Sequence, residues 1–246
     1  FEHMYVLGAA GDSGGALGAA LFLYHQILGN PQRTPVTNLH FGSSYEDEEI
    51  EGILKQYKLS FEKLADEDAL IRRVARLLSE NKIVGWFQGR MEFGPRALGS
   101  RSILASPKPR DMKERVNEIK LREQFRPFAG SILQEKVHEY FETPEPEHSS
   151  PFMTFCFQAK AAAKKDFAAI VHEDGSCRIQ TVNEENGLYY SLIRQFYELT
   201  GVPCVLNTSF NLKGEPIVEN PEQAVCDFLK TKMDGLAIGD FLVTKN

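Results

Sequence analysis

The apolar residues of this 246-residue chain follow two patterns, a helical spacing and short uninterrupted runs. Apolar positions repeating at helical intervals predict helices over five segments: 46–56, 67–80, 112–123, 185–200 and 221–230. Short apolar runs predict strands over six segments: 82–88, 101–105, 127–133, 152–159, 202–206 and 236–243. The mixture of the two kinds of element predicts a mixed α/β fold.

Two local signals sharpen these boundaries. Asn220, Pro221 and Gln223 stand at the cap, first turn and third position of the last helix, a combination typical of a helix start. The apolar runs 168–172 and 177–182 flank Asp174-Gly175, a dipeptide that favours tight turns. This pattern predicts a β-hairpin.

The first 42 residues differ from the rest of the chain. An apolar run over 4–7, a glycine-rich turn over 11–15 and a helical composition over 16–28 predict a strand, a loop and a helix. A single strand needs partners, so we expect further strands of the same domain upstream. Proline, glycine and serine over 30–44 indicate a connector, which predicts one domain ending within 1–42 and a second over 43–246.

Composition excludes several classes of protein. The chain is 42% hydrophobic and 25% charged, without an apolar run of membrane-spanning length, which excludes disorder and a membrane span. The start lacks the features of a secretory signal, so we expect a cytoplasmic protein. The four cysteines lack CxxC spacing, and the six histidines form no HExxH motif. These residues therefore predict neither a zinc knuckle nor a redox pair.

Charge is unevenly distributed along the chain. The segment 90–126 contains ten basic and five acidic residues, so it carries +5 within a chain whose net charge is −6. A basic island in an acidic protein suits a compact phosphate or carboxylate ligand better than a nucleic acid, which needs a broader positive field. Ordinary ion pairs on a solvated helix face are an equally good interpretation of the charge alone.

The glycine-rich turn over 11–15 reads GDSGG, which matches two serine-hydrolase motifs. Both motifs need upstream partners that ten preceding residues cannot supply, so serine hydrolysis is disfavoured. A glycine-rich loop before a helix can instead bind an anion through backbone N–H groups, with Asp12 available to a metal. A turn packed against a neighbouring strand is the simpler alternative.

The strongest candidate site is the segment 89–104, which reads GRMEFGPRALGSRSIL. Its glycines and proline predict a rigid connection between two strands that presents Arg90, Arg96 and Arg101. Guanidinium groups match phosphate and carboxylate oxygens in pairs, so this loop predicts an anion site. Scattered surface arginines are the alternative.

The following helix has an apolar stripe beside a polar stripe that leads to Lys120 near its end. Arg126 precedes proline and must be extended, so Lys120 and Arg126 are expected to converge. Lys113 and Arg122 are assigned to solvent.

Polar residues also follow the apolar strand 202–206. Asn207, Ser209 and Asn211 stand where ligands commonly bind in α/β folds, with Ser209 suited to a phosphate and the asparagines to a base or sugar. Turn-forming hydrogen bonds are an equally good explanation. Arg178 lies in a predicted strand on the same face as Gln180, where an arginine usually forms an ordinary cross-strand pair.

Taken together, the segments GDSGGALGAAL, GRMEFGPRALGSRSIL, REQFRPFAGSIL after Lys120, CRIQTV and LNTSFNLKGEPIV resemble the O-carbamoyltransferases of antibiotic and nodulation-factor biosynthesis. The resemblance runs in order over nearly the whole chain. It implies a C-terminal YrdC-like domain, with a twisted mixed sheet and flanking helices, preceded by the last strand and helix of an actin-like ATPase-type domain.

The resemblance also implies a two-stage reaction. The YrdC-like domain would form carbamoyladenylate from carbamoyl phosphate and ATP with Mg²⁺, and the other domain would transfer the carbamoyl group to a hydroxyl of a small-molecule acceptor. The matching positions imply catalytic roles for Arg96, Lys120 and Arg126, and ligand contacts for Arg178 and Ser209. Asp12 matches an aspartate that helps to hold iron (Fe²⁺), whose histidine partners would lie upstream.

Three questions stay open at the level of sequence. A YrdC-like fold also occurs in proteins that bind double-stranded RNA, and a regulatory module could bind a nucleotide without catalysis. The −11 charge outside the basic island argues against nucleic acid as a partner. The acceptor is not specified by the sequence, and neither is the oligomeric state, for which a homodimer is one option.

Overall fold

The computed structural model describes residues 6–33 and 36–245. Within this part of the chain, the strands form a single nine-stranded sheet. The strands, in chain order, are β1 (Phe61–Lys63), β2 (Val84–Phe87), β3 (Arg101–Ala105), β4 (Ala129–Leu133), β5 (Phe155–Gln158), β6 (Ser176–Val182), β7 (Cys204–Ser209), β8 (Gly235–Ile238) and β9 (Phe241–Thr244). The predicted mixed α/β class is therefore confirmed.

The sheet has the order β1-β9-β8-β2-β3-β7-β4-β6-β5. Two pairs are parallel, β8 with β2 and β4 with β6, and the other six are antiparallel. The central strands are buried along their length, which explains why their sequences are continuous apolar runs rather than alternating ones. This arrangement brings the ends of β4, β6 and β7 together.

Eight α-helices are present in the described residues. They are α1 (Gly14–Phe22), α2 (Asp47–Gln56), α3 (Glu67–Ser79), α4 (Met112–Ile119), α5 (Val137–Tyr140), α6 (Ala161–Asp166), α7 (Leu188–Thr200) and α8 (Pro221–Lys230). The predicted start of α8 is confirmed, because the Asn220 side chain accepts from the Gln223 backbone N–H over 2.9 Å. Helix α3 packs against α7, and α2 against α8.

The core is built on the central strands and on the buried faces of helices α2 to α8. Trp86 and Phe87 in β2 are both almost fully buried, as are Phe196 in α7 and Phe228 in α8. The Trp86 indole N–H donates to the Gly99 carbonyl oxygen over 2.8 Å, which satisfies its one polar atom. This bond also anchors the segment between β2 and β3 to the core.

Several predicted elements differ from the observed ones. The single strand predicted over 236–243 is two strands, because Gly239 has a φ of +52° and turns the chain between β8 and β9. The predicted hairpin is wrong as a pair of strands, because residues 168–170 form a turn, in which Ile170 and Val171 donate to the Phe167 carbonyl, and β6 pairs with β4 and β5. The tight turn predicted at Asp174-Gly175 is present, with the Gly175 N–H donating to the His172 carbonyl oxygen over 3.0 Å. Strand β1 and the short helices α5 and α6 were not predicted.

Two helices are also shorter than predicted. Helix α4 ends at Ile119, because Leu121 has a φ of +53° and directs the chain away from the helix axis. Helix α7 begins at Leu188 after a 3-10 turn, Glu184–Asn186, and Gly187. As a result, the polar residues next to the end of α4 and the start of α7 lie in loops.

The predicted N-terminal helix is present as α1, which continues as a π-helical turn over Leu23–Ile27. Neither element buries a residue in the described structure, although both are rich in apolar side chains. Residues 4 and 5 of the predicted strand over 4–7 lie outside the described residues, and Val6 and Leu7 belong to no strand. Among the described helices, none has the length and apolar character needed to cross a bilayer.

Candidate functional site

Three arginines from different parts of the sequence line one small cavity. Arg96 comes from the segment between β2 and β3, Arg122 from the chain after α4, and Arg178 from β6. The cavity has a volume of about 80 Å³, and Asn207 and Ser209 at the end of β7 also line it. Its lining contains no acidic residue. We call this site the arginine pocket.

The segment that presents Arg96 is organised by a buried carboxylate. Glu92 Oε1 accepts hydrogen bonds from the backbone N–H groups of Leu98, Ser100 and Arg101, over 2.7, 2.6 and 3.2 Å. A Cβ atom added at Gly99 would lie 2.3 Å from the Tyr189 ring, and Gly99 has a φ of +111°. The glycine and the carboxylate explain why this connection is compact, as the sequence predicted.

Arg122 enters the pocket because α4 ends early. Its Nε donates to the Asn117 side-chain oxygen over 2.6 Å, and its guanidinium lies 4.3 Å from the centre of the Phe128 ring. The prediction that Arg122 faces solvent is therefore wrong. The sequence held a signal in the spacing Lys120-Leu121-Arg122, which places both cations at one helix end.

Arg178 reaches the pocket from the face of the sheet that also carries Gln180, as the alternation of β6 predicted. Its Nε is buried and finds no hydrogen-bond partner among the described residues. Burial and the nearby charge of Arg96 lower the pKa of Arg178. A half-buried guanidinium with a free donor, facing another guanidinium, is suited to an anionic ligand.

Lys120 lies beside this pocket and is only 4% exposed. Its Nζ donates to the backbone oxygen of Ser209, and to the backbone and side-chain oxygens of Asn211 over 3.0 and 2.9 Å. Burial, followed by the charge of Arg122, lowers the pKa of Lys120 to about 7. Lys120 is thus held by neutral oxygens and changes charge near neutral pH.

The residues at the end of β7 have distinct surroundings. Ser209 Oγ donates to the Asn211 side-chain oxygen over 2.7 Å, so both side chains belong to the Lys120 cluster. Asn207 is 1% exposed and donates to the Ala97 carbonyl and to Ser131 Oγ, over 3.2 and 3.0 Å. Asn207 therefore joins the Arg96 segment to the sheet beneath the pocket.

Arg126 is exposed at the rim. Its Nε lies 3.3 Å from Glu123 Oε2, and its charge contributes to the lowered pKa values of Lys120 and Arg122. The structure therefore places Arg126 close to Lys120, although it does not line the arginine pocket.

The other two predicted arginines lie elsewhere. Arg101 is fully buried: its guanidinium donates to the carbonyl oxygens of Gln88, Gly89, Ser100 and Ser43, and stacks 3.6 Å from the Phe87 ring centre. Arg101 is thus held by backbone carbonyl groups, which favours a structural role over the ligand contact that we expected, although its buried Nε has no partner among the described residues. Arg90 is exposed, donates to the Phe41 carbonyl over 3.2 Å and lines a separate cavity of about 430 Å³.

An iron site built on Asp12 would need further His, Asp or Glu ligands. Asp12 is exposed, and the described residues contain no group of three His, Cys, Asp or Glu side chains that could hold a metal ion. The described residues therefore do not by themselves fit an iron site.

Comparisons with known proteins identify the family and the fold of this chain. The family described as carbamoyltransferase C-terminus matches residues 75–245. The chain is 40% identical to nodulation protein NolNO of Sinorhizobium fredii and 40% identical to nodulation protein NolO of Bradyrhizobium diazoefficiens, in both cases over all of this chain. It spans 36% and 45% of the lengths of those two relatives.

The fold also resembles that of a solved structure. Sua5 of P. abyssi complexed with L-threonine superposes with a TM-score of 0.52 at 17% identity, covering 71% of this chain and 47% of Sua5. This likeness confirms the YrdC-like fold. The matched segment 75–245 contains Arg96, Arg122, Arg178 and the Lys120 cluster, and by this match the chain belongs to the carbamoyltransferase family.

Proposed function

We propose that the arginine pocket binds the phosphoryl group of carbamoyl phosphate, and that the domain forms carbamoyladenylate from carbamoyl phosphate and ATP. The convergence of Arg96, Arg122 and Arg178 on one small cavity without an acidic residue carries this proposal. The three guanidinium groups repel one another, and a bound anion would offset this repulsion. The pocket is therefore preorganised for negative charge. Family membership makes a carbamoyl donor the ligand that fits best.

Each residue near the pocket has a part in this scheme. Arg178 offers its unpaired Nε, Arg122 is held in place by Asn117 and Phe128, and Arg96 is fixed by the Glu92-centred segment. Ser209 Oγ lines the pocket, while Lys120 adds positive charge from behind it. Together they offset the repulsion between two phosphorylated substrates before bond formation.

The reaction balances when water takes part. Water and carbamoyl phosphate give carbamate and inorganic phosphate, a carbamate oxygen attacks the α-phosphorus of ATP, and pyrophosphate leaves. Mg²⁺ would accompany ATP as part of the substrate. The 430 Å³ cavity lined by Trp86, Arg90 and Tyr189 is a suitable place for the nucleotide, because Leu98 and Gly99 in its wall directly follow Arg96 and Ala97 of the arginine pocket.

The second stage belongs to the longer protein. The chain spans less than half of the relatives it matches, so transfer to a hydroxyl of a small-molecule acceptor is proposed for the full-length protein. The apolar helix α1, which buries no residue in the described structure, supports a separate transfer domain that includes this helix, whereas Leu39 packs against Leu98, Ala129 and Phe152 of the second domain. We therefore expect this chain alone to form the adenylate without carbamoylating an acceptor.

Isotope exchange tests the first stage directly. The chain is incubated with ATP, Mg²⁺, carbamoyl phosphate and labelled pyrophosphate, and label entering ATP is measured. Reversal of adenylate formation moves label into ATP only if carbamoyl phosphate is present. Arg178→Ala should abolish the exchange, whereas Arg110→Ala, at an exposed residue outside the pocket, should leave it unchanged.

The rival functions give different results in the same preparation. A module that binds nucleotide without catalysis would bind ATP but show no exchange with any donor. An RNA-binding module would shift generic double-stranded RNA in a gel, with affinity that falls steeply as salt is raised. Exchange that proceeds equally without carbamoyl phosphate would contradict the proposed donor.

A further inference from the structure

A second cavity, of about 390 Å³, lies between Tyr57 at the end of α2, the loop after β7 and helix α8. It shares no lining residue with the arginine pocket. Asp227 of α8 lines it, and we call it the Asp227 cavity. Its volume falls in the range of sites that hold small molecules.

Asp227 has an unusual environment for a carboxylate. It is 4% exposed, and its buried Oδ2 accepts no hydrogen bond from the described residues. Burial and the neighbouring Glu215 carboxylate raise the pKa of Asp227 to about 6. A buried carboxylate without a donor is costly, and a ligand that donates to it would relieve that cost.

The other charged groups of the cavity do not supply this donor. Glu222 accepts from the Tyr57 hydroxyl over 2.9 Å, and the Lys230 ammonium lies 3.9 Å from Glu215 Oε1. Three carboxylates and one ammonium therefore line the cavity, which leaves it negatively charged. This charge is opposite to that of the arginine pocket and selects for a cation.

The lining distinguishes an organic cation from a metal ion. No described group of three His, Cys, Asp or Glu side chains could hold a metal, so Asp227 and Glu215 lack the further ligands that a metal requires. Pro216, Val218 and the Tyr57 ring offer apolar surface in the same cavity. An ammonium group on a short hydrocarbon would use both the carboxylate and this surface.

We propose that the Asp227 cavity binds a small organic amine, whose ammonium group donates to Asp227 Oδ2. The site adjoins the Lys120 cluster, because the Asn211 side chain accepts from Lys120 Nζ and donates to the Glu215 backbone oxygen, over 2.9 and 2.7 Å. The assignment does not depend on the proposed adenylate chemistry. Amine binding and pyrophosphate exchange can therefore succeed or fail separately.

The test uses n-butylamine as the probe, with n-butanol and butyrate as neutral and anionic controls of the same carbon skeleton. Amide NMR signals of the ¹⁵N-labelled chain are followed during titration at pH 7.5 and constant ionic strength. We expect saturable shifts with butylamine at residues 215, 217–218 and 226–230, and none that saturate with the two controls. Arg96 and Arg178 should be unaffected.

Asp227→Asn keeps the shape of the side chain and removes its charge, and it should weaken butylamine binding at least about tenfold. Glu118→Gln is the matched control, because that carboxylate is exposed, pairs with Lys232 over 2.7 Å and lies outside the cavity, and it should change the affinity less than threefold. Equal binding of butylamine and butanol by the wild-type chain would overturn the proposal without any variant. Unchanged affinity in a folded Asp227→Asn protein would also overturn it.

Discussion

The Lys120 ammonium lies 2.9 Å from the side-chain oxygen of Asn211, and this contact joins the end of α4 to the loop that follows β7. The same Asn211 oxygen accepts from Ser209 Oγ over 2.7 Å. Two segments separated by about ninety positions in the sequence thus form one polar cluster beside the arginine pocket. The predictions below start from this cluster.

Asn211→Ala should destabilise the protein by about 1–3 kcal/mol, because it leaves the buried Lys120 ammonium without one of its acceptors. Urea unfolding followed by circular dichroism measures the change in the free energy of unfolding. Lys213→Ala is the control: its ammonium makes an exposed ion pair with Glu123 at 2.8 Å, and its loss should cost less than about 1 kcal/mol. Equal losses in the two variants would contradict the prediction.

Anion binding should weaken as pH rises through 7. Lys120 has a pKa of about 7 in the free protein, and a bound anion favours its charged form. Raising the pH from 6 to 8.5 deprotonates Lys120 and should reduce the affinity for sulfate by up to about tenfold. Sulfate is the chosen probe because its own charge does not change in this range.

Calorimetry at several pH values measures this dependence. Lys120→Gln is neutral at every pH, so its sulfate affinity should be low and nearly constant. If the sulfate affinity of the Lys120→Gln protein depends on pH as steeply as that of the wild type, a group other than Lys120 is responsible for the pH dependence.

Arg122→Gln and Arg178→Gln should each weaken sulfate and carbamoyl phosphate binding by about 1.5–3 kcal/mol, the range for a hydrogen bond to a charged group. Both side chains line the arginine pocket, and neither forms an ion pair in the described structure. Arg110→Gln, outside the pocket, should bind like the wild type. Binding that survives in both pocket variants would remove these arginines from the site.

Arg96→Lys should keep the fold and reduce adenylate formation at least tenfold, or about 1.4 kcal/mol, because lysine cannot offer two parallel donors. Arg96 makes no hydrogen bond with the described residues, so the melting temperature should be nearly unchanged. A melting temperature several degrees lower, with unchanged turnover per folded molecule, would show instead that Arg96 is structural.

Arg101→Met should have the opposite effect to Arg96→Lys, with a loss of stability and little change in activity. Its buried guanidinium satisfies four backbone carbonyl groups, so the variant should lose about 3 kcal/mol of stability or more. Pyrophosphate exchange per folded molecule should stay close to that of the wild type. Loss of pyrophosphate exchange in an Arg101→Met protein of unchanged stability would show instead that Arg101 contacts the ligand.

Local patterns in the sequence predicted most of the elements of this fold. The helix start at Pro221 and the strand over 101–105 follow from short-range rules, because neighbouring residues carry the signal for each. The hairpin at 174–175 was wrong because the partners of β6 are distant in sequence, and strand pairing is decided by the whole sheet.

The sequence likewise predicted only part of the candidate site. The residue types and their clustering predicted an anion site with Arg96 and Lys120, since charge is a property of the sequence itself. The different surroundings of Arg101 and Arg122 were not predicted, because they depend on the tertiary structure: one side chain faces backbone carbonyls and the other faces a cavity.

The sequence by itself therefore determined the α/β class and the family, and it predicted an anionic ligand, because residue types and spacing carry that information. Only the tertiary structure decided which arginines are available to a ligand, and that an acidic cavity around Asp227 lies beside the Lys120 cluster. The physical reason is that burial and hydrogen-bond partners depend on contacts between segments that are far apart in the chain.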